Sequence, residues 1–154
     1  MPHTLQAFFE RSTTKAAEDL LEAINRLPED KRAWSPMGDA RTALNQLAEC
    51  AILNGSTAEM LKTHTFAMEG GFEAYFEERA KLAADETACK ALFAENTAKA
   101  IAAIKEVPDE DLELQVNMPW GPMAVAQIVS YPFWNMCYHE GQINYIASML
   151  GCLD

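Results

Sequence analysis

His139 is the histidine whose neighbours are spaced for chemistry. Asn135 stands four residues before it and Gln142 three after it, in the stretch Asn135-Met-Cys-Tyr-His139-Glu140-Gly141-Gln142-Ile143. On a helix, positions three and four apart share a face, so these three polar side chains can point into one cleft between helices. Two histidines four apart would be a strong metal-ligand pattern. An asparagine in the first place is much weaker, because an amide oxygen is a hard, neutral ligand while transition metals favour imidazole or thiolate. It also brings no charge to offset the ion's loss of water. Two readings of His139 therefore stand: a metal ligand, or a core histidine hydrogen-bonded to a neighbouring side chain. Cys137 points the other way on the same helix and is not expected to join the site. His3 lies near a terminus and His64 in or beside a loop, and neither has a partner at ligand spacing. No nucleophile elbow, phosphate-binding glycine loop or zinc-type cysteine pair occurs.

The elements that must position these groups are helices. From Thr4, a natural N-cap, apolar residues recur at Leu5, Phe8, Phe9, Ala16, Leu20, Ala23, Ile24 and Leu27, one buried face of a helix that Pro28 stops. A connector with Trp34, Pro36 and Gly38 follows, and Trp34 reads as a lid over one end of the core. A second helix is expected from Asp39 to at least Asn54, either ending at Asn54-Gly55 or running on to about His64. Glu49 sits on the shoulder of its apolar stripe. On helical geometry that carboxylate reads first as a boundary residue facing water, and second as one turned into a polar pocket. After Gly70-Gly71, the residues Phe72, Tyr75, Phe76 and Leu82 suggest a short helical piece laid over the bundle, with Met68, Phe72 and Phe76 at a pocket mouth or capping the core. A third long helix is predicted over Glu86–Val107 with Asp85 as N-cap. Its Asn96 interrupts the apolar stripe as a core amide or as part of the polar site. Leu112–Val116 alternates in the period of an extended segment, and a turn through Met118-Pro-Trp-Gly-Pro122 leads to a fourth long helix from about Pro122 to Leu150. Pro132 within it predicts a kink or a restart.

The chain of 154 residues is enough for one domain with a sizeable core, and 49% hydrophobic with 23% charged residues is an ordinary globular balance. A net charge of −11 argues against nucleic acid and anionic membrane surfaces as partners. No stretch approaches the roughly 18 apolar residues of a membrane span. The opening residues lack the basic and apolar regions of a secretory signal, so the expected compartment is the cytoplasm. Cys50, Cys89, Cys137 and Cys152 are far apart and read as thiols rather than a disulfide framework. With four long helices, short connections and no repeat or domain boundary, residues 1–154 read as a single all-α four-helix bundle.

Trp120-Gly-Pro-Met123 followed by a long helix through His139-Glu-Gly-Gln142-Ile143 resembles the DinB/YfiT-like superfamily, as does the order of the helices. The resemblance implies an up-down-down-up four-helix bundle with a loop or short helix between helices 2 and 3, often a homodimer. It also implies a divalent metal, such as zinc or nickel, held by a histidine of helix 2 and an H-x-x-x-H pair of helix 4. Characterised relatives are thiol-dependent transferases or isomerases that use mycothiol, bacillithiol or similar low-molecular-weight thiols, with the metal presenting the thiolate. Carried onto this chain, the ligand set becomes Glu49, Asn135 and His139, two of the three departing from histidine. In this fold Glu49 is expected to face inward towards His139.

Two functions follow. In the first, a weakened metal site holds zinc or nickel through Glu49 and His139, with Asn135 as third or orienting ligand, and acts on a small electrophile with a thiol partner. In the second, the bundle is a metal-free binding or dimerising module in which Glu49, Asn135 and His139 form a polar cluster, with carboxylate and imidazole near 3 Å apart. The substrate, the thiol and the oligomer are left open by the residues.

Overall fold

A computed structural model describes residues 4–153. Helix α1 spans Leu5–Arg26, with the Thr4 hydroxyl accepting from the Ala7 amide at 3.1 Å. Helix α2 spans Ala43–Thr63, α3 Gly71–Ala83, α4 Glu86–Glu106 and α5 Val125–Met149. Single 3-10 turns lie at Glu29–Lys31 and Asp109–Asp111. Strands β1 (Gln115–Met118) and β2 (Gly121–Ala124) form an antiparallel hairpin in which Val116 pairs with Met123 and Met118 with Gly121.

Helices α1, α2, α4 and α5 form the bundle. Helix α2 packs chiefly on α4, α1 chiefly on α5, and the contacts α2 to α5 and α1 to α4 close the ring, so α1 and α2 sit across its diagonal. Helix α3 lies outside, mainly against α2. One apolar cluster is built from Leu20, Ile24, Leu47, Phe93, Met136 and Ile143, with Trp34 packed against it as the expected lid. A second holds Leu61, Ile104, Val116, Val125, Ile128 and Val129 under the hairpin. Each fully buried Leu, Ile, Phe or Val contributes about 1.5–3 kcal/mol. Asn54, whose amide donates to Thr97 Oγ1 at 3.0 Å, touches Met136 of the first cluster.

Several element boundaries differ from the sequence reading. Helix α2 begins at Ala43, not Asp39, because Thr42 is its cap and accepts from the Asn45 amide at 3.0 Å. A turn closed by the Ala40 amide on the Met37 carbonyl, with Gly38 at φ +49°, occupies the residues before it. The helix then runs through Gly55 to Thr63. A Cβ at Gly55 would lie 2.6 Å from Asn96 Nδ2 of α4, whose amide donates to the Ala51 carbonyl at 2.8 Å, so a side chain there would displace Asn96. Asn96 is thus a satisfied core amide. Pro122 belongs to β2 rather than opening the last helix, since its hairpin pairs it with Asn117. Helix α5 passes through Pro132 without a restart. Phe8 is half exposed and rests edge-on against Phe9 rather than lying in the core. Phe72 and Phe76 are also exposed, so they do not cap the core.

Candidate functional site

Gln46 and Glu49, three residues apart on α2, face His139 and Gln142, three apart on α5. His139 is 1% exposed. Its Nε2 lies 2.9 Å from Glu49 Oε1. Its Nδ1 lies 2.9 Å from Gln46 Oε1 and 3.2 Å from Gln142 Oε1. Gln46 Nε2 donates to the Arg41 carbonyl at 3.4 Å, which turns its oxygen towards the ring. Both ring nitrogens thus face oxygens, Nδ1 those of the two glutamine amides and Nε2 that of the carboxylate.

The other carboxylate oxygen is also taken. Arg41, just before the α2 cap, reaches back along the helix. Its Nε donates to Asn45 Oδ1 at 2.7 Å, Nη2 to the Asn45 carbonyl at 3.0 Å, and Nη1 to Glu49 Oε2 at 2.6 Å. Arg79 Nη1, from α3, donates to the same oxygen at 3.3 Å. Its guanidinium lies 5.5 Å from the Tyr75 ring centroid and 5.1 Å from that of Phe76, within cation–π range. Burial pushes the Glu49 carboxyl up, but the hydrogen bond from His139 and the positive charge of Arg41 outweigh it and hold the group at about 2. Burial, followed by the charge of Glu49, raises the Tyr75 and Tyr131 hydroxyls.

Asn135 is buried one turn before His139, but its amide faces Cys50 Sγ at 3.6 Å rather than Glu49 or His139. The sulfur of Cys50 draws it to the side. Cys50, Cys89, Cys137 and Cys152 are free thiols. Burial pushes the thiol of Cys50 well above its ordinary range and that of Cys89 up to about 12, so neither offers a thiolate at neutral pH. His64 caps α2 in the left-handed region at φ +52° and stands 3.8 Å from Asp111, away from the site. His3 lies outside the described residues.

A cleft of about 780 Å³ opens beside the pair, lined by Arg41, Gln46, Tyr138, Gln142, Tyr145 and Met149 among others. A small apolar cavity of about 50 Å³, with Leu53, Thr57, Phe66, Trp120 and Tyr131 in its wall, lies elsewhere between α2 and α5. Arg41, Gln46 and Arg79 escaped the sequence reading. Arg41 and Gln46 had a signal, since Arg41, Asn45 and Glu49 repeat every four residues and Gln46 precedes Glu49 by three. Arg79 had none, because it arrives from a separate helix.

A helical bundle with a titratable pair buried between two facing helices defines a class of domains that build their sites from interior side chains. The chain matches the DinB family over residues 1–152 and belongs to that family. Among solved structures it is similar to the crystal structure of the mycothiol-dependent maleylpyruvate isomerase, with a TM-score of 0.72 at 13% identity over 90% of this chain and 60% of that one. The likeness is one of fold, and this chain spans about three-fifths of that enzyme. No curated protein matches it.

Proposed function

We propose that this DinB-family domain uses the Glu49–His139 pair without a divalent ion, as the buried polar cluster behind a small-molecule-binding cleft that Gln46 and Gln142 line. One observation carries the reading: both oxygens of Glu49 are already engaged, Oε1 by the imidazole and Oε2 by two guanidiniums. A divalent ion there would have to part a 2.9 Å contact and sit beside two fixed cations, whose repulsion falls only slowly with distance in a partly buried site. The third family position, Asn135, is turned to Cys50 and would have to rotate away from it to serve. These residues do not suit zinc or nickel, so no step is routed through a metal.

The test is calorimetric titration with zinc and nickel, together with elemental analysis of the purified protein. The expected result is no stoichiometric uptake. Uptake of one ion per chain that is lost in His139→Ala would sink this reading and restore Glu49, Asn135 and His139 as a ligand set.

The fold likeness to a mycothiol-dependent enzyme favours a second reading, a transferase or isomerase that uses a low-molecular-weight thiol. A thiol entering the cleft would meet Arg41, and a neighbouring cation lowers a thiol's pKa. The thiolate, not the thiol, would then attack the electrophile. This reading expects mycothiol and a small electrophile to give an adduct by mass spectrometry faster than without protein, and Arg41→Gln to remove the acceleration.

A further inference from the structure

Glu49 is one carboxylate facing two guanidiniums, in a chain of net charge −11. Among the described residues, Glu49 is the one acid that pairs with either arginine, so the two share a single counter-charge. Asp39 lines the same cleft but forms no ion pair with either arginine. The two arginines also keep unused donors. Arg41 makes one hydrogen bond from each of its three nitrogens, so each Nη retains a hydrogen without a partner among the described residues. Arg79 reaches Glu49 through Nη1, and its buried Nε has no acceptor among the described residues. A buried donor lacking an acceptor is costly. Of the two, Arg41 lines the cleft. Arg79 does not, and it acts by sharing Oε2, which leaves Arg41 incompletely neutralised.

Besides Arg41, the exposed carboxylate of Asp39 and the amide of Gln46, the cleft wall is mainly apolar and aromatic. Tyr138, Tyr145, Ile146 and Met149 line it from α5, and Tyr145 and Tyr138 are largely open to it and to solvent. Gln142 also lines it. The Gln142 oxygen is turned to His139, and its Nε2 is left as a second donor.

We propose that the cleft binds a small carboxylate with a flat, aromatic or unsaturated body, its carboxylate on the outer N–H groups of Arg41 and its body against Tyr138 and Tyr145. This rests on the metal-free reading above, in which the cation serving the site is guanidinium rather than a metal. A guanidinium fork matches a carboxylate in plane and takes it with two hydrogen bonds, which a point cation does not. Arg41 is the anion-binding group. Arg79 is a positioning residue that holds Glu49.

Benzoate is the probe, measured by calorimetry and by ligand-observed NMR in the presence of EDTA. One benzoate per chain is expected, with Kd of about 10 mM or tighter for a ligand of this size. Benzamide, the neutral isostere, and acetate, which lacks the ring, should each bind about tenfold more weakly or worse. Arg41→Gln should weaken benzoate about tenfold or more, while Arg41→Lys recovers part of the loss. Tyr145→Ala, at an exposed position, should weaken benzoate without lowering the melting temperature, which separates lost binding from lost fold.

Equal binding of benzoate and benzamide overturns the proposal, as does Arg41→Gln binding like the wild type. Benzoate binding that requires added zinc and vanishes in His139→Ala overturns both this proposal and the metal-free reading. No benzoate binding together with no zinc uptake overturns this proposal alone. A dimer that Tyr145→Ala converts to monomers, with benzoate unbound, assigns the aromatic face to a second copy and likewise overturns it.

Discussion

At the scale of single residues, Glu49 is the hub, because His139, Arg41 and Arg79 all meet it. Its carboxyl is held at about 2, below the ordinary value of 4.5. A depressed folded pKa means that the unfolded chain binds the proton more readily. The stabilisation is therefore fully present above about pH 4.5 and is lost as the pH falls towards 2. In wild type, the urea midpoint should drop steeply across that window. In Glu49→Gln it should start lower at pH 7, by about 1.5–3 kcal/mol for a lost charged hydrogen-bond acceptor, and fall less steeply on acidification. Parallel acid limbs in the two proteins would contradict this account. His139 and Glu49 were legible in the sequence as a pair once the family resemblance supplied the fold. On helical spacing alone, Glu49 was more readily a surface residue. Gln46 was missed although its place three residues before Glu49 put it on the same face, because that spacing gains meaning only once Glu49 is known to face inward.

At the scale of elements, the clearest signals were local and chemical. Thr4 and Asp85 cap α1 and α4 as their side chains allow, with Asp85 accepting from the Ala88 amide at 3.0 Å. The errors arose where two local signals competed. Asp39 and Thr42 are both good caps, and the turn at Gly38 decided for Thr42. Pro122 suits a helix start, but the hairpin pairing to Asn117 claimed it for β2. Gly55 shows a third kind of limit, in which the reason for a residue lies on another helix. Glycine to alanine inside a helix ordinarily stabilises by about 0.5–1 kcal/mol. Here the new Cβ would lie 2.6 Å from Asn96 Nδ2 and 2.9 Å from its Cγ. Gly55→Ala should therefore destabilise, by about 1–3 kcal/mol from overpacking. In an Asn96→Ala background the obstacle is gone, and Gly55→Ala should turn neutral or stabilising. Thermal melts of the four proteins measure the reversal, and additive effects would show that the two helices do not meet there as described.

At the scale of the whole molecule, stability is unevenly distributed, and the site lies where the firm part meets the loose part. Helices α2 and α5 supply Gln46, Glu49, His139 and Gln142 from the core. Helix α3 has no fully buried residue, follows Gly70 and Gly71 at φ +70° and +72°, and packs on the bundle through partly buried Leu82 and Ala83. Among the described residues, Arg79 to Glu49 is the one hydrogen bond or ion pair that an α3 side chain makes to another element. Few buried apolar contacts mean a low free energy of local opening. Amides of residues 71–83 should therefore exchange with deuterium faster than those of 43–63 or 86–106. Arg79→Ala removes the tie. A partly exposed pair of this kind contributes about 1 kcal/mol, so exchange in α3 should speed up several-fold while α1 and α4 keep their wild-type rates. Glu49→Gln should loosen α3 by a similar factor and also speed exchange around His139, because Glu49 holds both. Hydrogen exchange read by mass spectrometry on these peptides separates the two variants. An α3 as slow as α2 in wild type, or one untouched by Arg79→Ala, would place the hold on α3 in Leu82 and Ala83 instead of in the ion pair.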